Sequence, residues 1–250
     1  MSNPKDEKNI RNKICPQHHI EYDYVCPECV KPFLKDTKFN NLQEIRDYQK
    51  NNSKRIKLVD LKSEYNIIGI IKTKVWKENA YSGLKIYDLR KNKEIDTTFR
   101  SYKPIFPNYF PSILFLNHTE IYMDLIKNID ISVDCCIINT SGQIHPYLYG
   151  SACDLGLKIK IPVIGYTKNL LFGELGEIKE SPNILGVFFQ KSLIGYAVSK
   201  PNSKKFFYLS VGNNISLQSA LRVFLKIDYN LFSTLNNELN NFFRKRYYFE

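Results

Sequence analysis

No apolar run in this 250-residue chain approaches the roughly 20 residues needed to cross a bilayer. The opening segment MSNPKDEKNIRNK also lacks the apolar stretch of a secretory signal. Neither secretion nor a membrane partner is expected, so the chain reads as intracellular, nuclear or cytoplasmic, with an organelle left open. Cysteine is sparse. Six residues are too few for a disulfide scaffold, and three cluster near the N-terminus, which suits a metal site in a reducing compartment. Acid is in short supply too, with 25 Asp and Glu against 36 Lys and Arg, a formal net charge of +11. A surplus of that size calls for a polyanionic partner, most simply nucleic acid. Internal repeats are absent. What the chain does have is 43% hydrophobic and 14% aromatic residues, enough to bury one main domain with a small appendage.

The first pattern is a pair of short turns, Cys15-Pro16-Gln17-His18 and Cys26-Pro27-Glu28-Cys29. Each aims two donors at one ion, and the intervening chain folds back to bring the pairs together, as tetrahedral zinc requires. His19 is an alternative donor to His18. Ile20, Tyr22, Tyr24 and Val25 supply the apolar lid that so short a segment needs, because it cannot build a core unaided. Four protein ligands predict a structural zinc (Cys15, His18, Cys26, Cys29) in a module over residues 13–35, after a polar tail over 1–12. The arrangement is similar to the first half of a B-box-type zinc finger, and predicts either docking of a protein partner or bracing of the N-terminus.

Beyond a lysine-rich linker, residues 41–50 predict an amphipathic helix with Leu42, Ile45 and Tyr48 on one face. Runs over 56–61, 66–75 and 84–89 predict a meander of antiparallel strands. A helix is expected over 119–128 with Thr119 as N-cap. The apolar run 133–138 predicts a strand buried on both faces. A short helix over 150–157 follows, then strands over 161–165, 184–189, 194–199 and 206–211. Ser216 predicts the cap of a helix reaching Lys226, and residues 231–250 read as a C-terminal tail, helical at first and ending in the basic aromatic run 242–248. Strands first, then alternating helices and strands, give an α/β fold with a mixed sheet flanked by helices. Cys135, Cys136 and Cys153 are expected to pack in the core.

The stretch from Asn139 to Glu174 is the most informative. Gly142, His145-Pro146, Gly150, Ala152, Leu155-Gly156, Ile161-Pro162, Ile164-Gly165, Lys168, Leu170-Leu171 and Gly173 resemble, in order and spacing, the central segment of the endonuclease V family. Tyr109-Phe110-Pro111 stands where that family has its Tyr-Ile-Pro wedge, and Val59-Asp60-Leu61 where it has Val-Asp-Val in the first strand. Phe207–Gly212, Ile215–Leu217 and Ala220-Leu221 continue the resemblance, which covers roughly residues 40–230. It implies a ribonuclease H-like fold and magnesium-dependent cutting of DNA or RNA near deoxyinosine or inosine. Tyr109 would stack in the wedge beside a flipped base.

The resemblance implies three clustered carboxylates, since magnesium takes hard oxygen ligands. Only the first is matched, as Asp60. His118 stands at the glutamate position and Asn139 at the second aspartate, two degenerate ligand positions, while His145 and Lys168 are kept. A lone carboxylate leaves Mg2+ or Mn2+ weakly held. The expected function is therefore an endonuclease V-like domain that binds RNA or single-stranded DNA, or acts as a scaffold, without catalysis. Two alternatives stand beside it. One is an active metal-dependent, inosine-directed endonuclease, using Glu120 or a two-histidine site of Asp60, His118 and His145. The other is a protein-interaction module working through the finger or the basic tail.

Overall fold

The computed structural model describes residues 13–76, 78–178, 183–199 and 205–249, with side chains for all but Trp76 and residues 246–249. The polar tail expected over 1–12 lies outside the described residues.

A two-stranded ribbon, β1 (Lys13–Ile14) with β2 (Glu21–Tyr22), opens the chain. It is followed by α1 (Pro27–Val30), a 3-10 turn over Lys31–Asp36 and α2 (Leu42–Ser53). Asn41 caps α2 by accepting from the Glu44 N–H. Three long strands come next, β3 (Ile67–Trp76), β4 (Asn79–Asp88) and β5 (Lys93–Tyr102), paired antiparallel. Then follow α3 (Phe115–Lys127), β6 (Cys135–Ile138), α4 (Ser151–Lys158) and β7 (Val163–Thr167). The chain closes with β8 (Glu174–Glu177), β9 (Ile184–Phe189), β10 (Ser192–Ser199), β11 (Phe206–Asn213), α5 (Leu217–Leu225) and α6 (Asn230–Phe249).

The large sheet runs β5-β4-β3-β6-β7-β11-β10-β9-β8. β6 is parallel to β3 and to β7, whereas β11 returns antiparallel to β7. Alternation along β6 explains why that strand is apolar throughout. Cys135 and Ile137 face α5 and α6, through Phe224, Phe232 and Leu235. Cys136 and Ile138 face α3 and α4, through Tyr122, Leu125 and Leu155. A strand covered on both faces has no polar side to present.

The C-terminal segment is, as far as Phe249, helix α6 laid on the sheet. Lys85 of β4 is fully buried and pairs with Glu94 of β5 and with Glu238 of α6, the latter at 3.0 Å.

Four local expectations fail. Residues 56–61 form no strand; they are a loop tied to Asn213 and Asn214, with Leu58, Val59 and Leu61 exposed because no element covers them. Helix α3 starts at Phe115, so Thr119 lies inside it rather than capping it. The edge strands β5 and β8 were not expected, since their sequences are polar and largely uncovered on the sheet margins.

Candidate functional site

A cleft of about 620 Å³ opens at the C-terminal ends of β6 and β7. Thr73 and Val75 of β3 form one wall, and Asn108, Tyr109, Pro111, Leu114, Asn117 and His118 a second. Asn139–Ser141 and Thr167–Leu171, the segments leaving β6 and β7, complete it. Neither Asp nor Glu is among these lining residues. Close backbone packing shapes the floor: a Cβ on Gly165 would sit 2.5 Å from the Thr140 carbonyl oxygen and 2.6 Å from the Gly142 nitrogen. Only glycine lets β7 approach the segment after β6 so closely.

The loop carrying Tyr109-Phe110-Pro111 is pinned at both ends. On one side, the Asn117 carboxamide accepts from the Phe106 N–H and donates to the Phe106 carbonyl, each at 2.9 Å. On the other, the Ser112 carbonyl accepts from Gln49 Nε2 at 2.8 Å and from His145 Nε2 at 3.1 Å. Phe110 turns inward against Phe106, while Tyr109 is 75% exposed at the cleft rim. With the loop backbone anchored on both sides of Tyr109, the exposed ring offers a stacking face on a positioned segment.

His145 does not reach the cleft. It is buried, its Nε2–H donates to Ser112 and its Nδ1 accepts from the Tyr147 N–H at 3.3 Å. Burial pushes its pKa down to about 3, against the raising effect of the Ser112 carbonyl. His118 does line the cleft, its Nδ1 buried without a partner, and burial lowers it to about 4. Both imidazoles are neutral near pH 7.

Asp60 is placed elsewhere. Its carboxylate accepts from the Ser216 N–H at 2.9 Å, Ser216 Oγ at 3.0 Å, Ser219 Oγ at 2.8 Å and the Tyr65 hydroxyl at 3.3 Å. Burial acts to raise its pKa, but these donors hold it below the ordinary carboxylate value. The anchoring residues sit where β11 ends, and β11 ends beside Val163, the start of β7. Asp60 therefore lies at the opposite strand ends from Asn139 and Lys168, and the expectation that 59–61 form the first strand is corrected. The first strand of the large sheet is β3, with the sequence IIGIIKTKVW and no acid at all. Glu120 is turned outward into an ion pair with Lys158 at 3.0 Å. The two-histidine set of Asp60, His118 and His145 is not assembled.

What does converge is basic. Ile71 of β3 registers with Ile138 of β6, so Lys72 stands beside Asn139. Lys72 is only 8% exposed. Burial first, then Lys168 and Lys74, pull its pKa down to about 8. Lys74 is lowered by burial and by Lys168. Lys168 itself is exposed on the cleft wall. Sequence reasoning missed Lys72 and Lys74, although two lysines at period two ending an apolar strand mark one polar face.

The N-terminal cluster is assembled. His18 Nδ1 lies 3.4 Å from Cys15 Sγ, 3.6 Å from Cys26 Sγ and 3.4 Å from Cys29 Sγ, and Cys15 and Cys29 are 3.6 Å apart. All four donor atoms fall within 4.8 Å of one another, a set suited to one metal ion. Among the described residues no other group of three or more His, Cys, Asp or Glu converges in this way. His19, in left-handed backbone with φ 54°, is not the donor.

A family profile described as Endonuclease V matches residues 50–231. The chain belongs to the endonuclease V family. It is 32% identical over 121 residues to endonuclease V of Thermofilum pendens, covering 47% of this chain and 51% of that protein, so it spans about half the length of that relative. With endonuclease V of Archaeoglobus fulgidus it shares 28% identity over 187 residues, 73% of this chain and 82% of the relative. The structure of Ciona intestinalis endonuclease V, solved with a 24mer DNA containing an inosine followed by a ribo-adenosine, superposes with a TM-score of 0.70. Identity there is 18%, with 82% of this chain and 98% of that one covered, a likeness of fold. The mixed sheet between helix layers is thus the ribonuclease H-like fold of endonuclease V.

Endonuclease V enzymes use a divalent metal, and the cleft residues of this member do not fit one. Hydroxyls, four carboxamides, a neutral imidazole and ammonium groups are the polar side chains in and beside the cleft. A hard divalent cation needs anionic oxygen to offset its dehydration, and nearby ammonium groups repel it.

Proposed function

We propose that this endonuclease V-family domain grips single-stranded nucleic acid, RNA or DNA, without cutting it. The observation that carries the reading is the composition of the cleft: its lining holds Lys168 and neither Asp nor Glu, and Lys72 and Lys74 stand near enough to Lys168 to feel its charge. Lys72, Lys74 and Lys168 neutralise phosphates and release their counterions. Tyr109 offers its ring to a base. His118 Nδ1 and Thr140 Oγ1, both buried without a partner, are free to bond polar groups of a ligand. A second groove shares Val75 with the cleft and runs past Lys74, Tyr81, Phe243 and Arg244, extending the basic aromatic track onto α6. The Ciona structure, with DNA bound, supports a nucleic-acid ligand for the fold. Because no carboxylate among the described residues lines the cleft to hold a metal or activate water, the phosphodiester is bound and left intact.

The test uses labelled single-stranded DNA and RNA, with and without inosine, in magnesium and separately in manganese. Binding that falls steeply with salt, and no cleavage, is expected. Cleavage lost in an Asn139→Ala variant would overturn the reading.

The Cys15, His18, Cys26 and Cys29 cluster is assigned to zinc. Zn–S bonds of about 2.3 Å and Zn–N bonds of about 2.0–2.1 Å separate tetrahedral donors by about 3.6 Å for N···S and about 3.8 Å for S···S. The three separations from His18 and the one between Cys15 and Cys29, 3.4–3.6 Å, match within a few tenths of an ångström, and all four donors lie within 4.8 Å of one another. All four positions are protein, as in a structural site.

A further inference from the structure

The metal cluster and the cleft share no residue, yet one satellite core joins them. Val25, Val30 and Leu34 of the N-terminal module pack with Leu42 and Ile45 of α2 against Phe106, Ile113 and Phe115. Val25 precedes the ligand Cys26 and Val30 follows the ligand Cys29, so the ion would fix the residues that enter this core. Val30 is fully buried. From there aromatic contacts run outward. Phe33 meets Phe106 edge-on with ring centroids 5.8 Å apart, and Phe106 meets Phe110 edge-on at 5.7 Å. Phe110 is the inward-facing neighbour of the exposed Tyr109. An ion pair between Arg46 and Asp23 at 3.0 Å ties the module to α2 as well.

The module has little else to hold it. Its strands are two residues long and its helix four. A segment that small does not keep an apolar face ordered without a cross-link or a metal. The loop it supports has other anchors, namely Asn117 on Phe106 and Gln49 with His145 on Ser112. Loss of the ion should therefore loosen the loop while leaving the large sheet folded.

We infer that the metal ion is a positioning element for the nucleic-acid wedge. It orders the core on which Tyr109, Phe110 and Pro111 stand, so the grip on nucleic acid depends on an ion none of whose ligands lines the cleft. The inference rests on the zinc and nucleic-acid readings above, and its test separates their failures from its own.

The full chain is compared with zinc bound and after removal by a thiol-directed mercurial and chelator. One zinc per chain is expected, and markedly less overturns the inference. Removal should speed amide hydrogen exchange over residues 105–113 while β6 and β7 stay protected. Affinity for a fluorescent single-stranded RNA should fall roughly tenfold, the loss of one stacked base. Tyr109→Ala should produce the same fall in the zinc-loaded protein and none further in the stripped one. Phe33→Ala should keep its zinc and still show both losses, which separates the brace from simple unfolding of the module. Unchanged exchange over 105–113 on zinc removal overturns the inference, as do losses from stripping and Tyr109→Ala that simply multiply. Wild-type affinity in zinc-loaded Tyr109→Ala removes the nucleic-acid half together with the reading above, and the exchange data then decide by themselves whether the ion holds the loop.

Discussion

The imidazole of His145 donates through Nε2–H to the backbone carbonyl of Ser112, 3.1 Å away and 33 residues earlier in the chain. This bond couples the His-Pro turn after β6 to the base of the Tyr109 loop. Its value is positional. A neutral, buried ring with both nitrogens engaged has no proton to exchange with a ligand, but it holds two walls of the cleft at a fixed spacing.

Acid should unmask the two histidines. Unfolded chains take up protons at both near pH 6.5, whereas the folded protein resists until about pH 4 at His118 and about pH 3 at His145. Stability should therefore fall as pH drops below 6.5, with up to about two protons taken up on unfolding near pH 5. His118→Phe, which leaves no broken partner behind, should remove about one proton from that slope. Urea midpoints from pH 7.5 to 4.5 measure it, and an unchanged slope would refute the assignment.

Lys72 sets binding against stability. Its charged form is disfavoured in the fold by burial and by Lys168 and Lys74. Lys72→Met should stabilise the free protein by roughly 1–3 kcal/mol at pH 7 while weakening nucleic-acid binding. The gain should shrink as pH rises from about 8 toward 10.5, because there the unfolded lysine still holds a proton that the folded one has lost. A variant less stable than the parent at pH 7 would sink this account.

Asp60→Ala should behave as a capping lesion. The amide and hydroxyl of Ser216 and the hydroxyl of Ser219 lose their acceptor at the start of α5, a cost of about 1 kcal/mol. Because the folded carboxyl titrates below 3.8, this contribution is present at neutral pH and fades as pH falls through that lower value. Nucleic-acid affinity should not change. A loss of binding without a loss of melting temperature would point to contact with the ligand instead.

Gly165→Ala should damage both fold and cleft. The added Cβ meets backbone on two sides, Thr140 oxygen and Gly142 nitrogen, and neither is a side chain that can swing away. Gly69→Ala, whose Cβ would meet the end of Leu84 at 3.1 Å, is the milder control. Thermal melts should rank Gly165→Ala well below Gly69→Ala, by about 1–3 kcal/mol.

The inner strands and capped helices were legible from pattern. The run 133–138 marked β6 because burial on both faces demands an unbroken apolar sequence, and Ser216 marked the start of α5 because its side chain accepts from the Ser219 N–H. The edge strands escaped. A polar segment such as Lys93–Tyr102 joins a sheet through backbone bonds that its side chains do not announce. At the site, the donor spacing of the N-terminal cluster was readable because two paired turns define a tetrahedron. Asp60 misled for a local reason: Val59-Asp60-Leu61 copies the residue types of a strand whose place in the sheet is filled by β3. Lys72 went unnoticed because a lysine ending an apolar strand reads as solvated until the neighbouring strands are seen to bury it.

The Lys85 clamp makes the last helix indispensable to the outer ribbon. The ammonium lies between Glu94 on β5 and Glu238 on α6, with no exposure of its own. A chain cut before residue 230 would strip away one of its two counterions and uncover the apolar face beneath. Such a shortened protein should collect in inclusion bodies, so a solubility tag or a minimal fragment must keep α6.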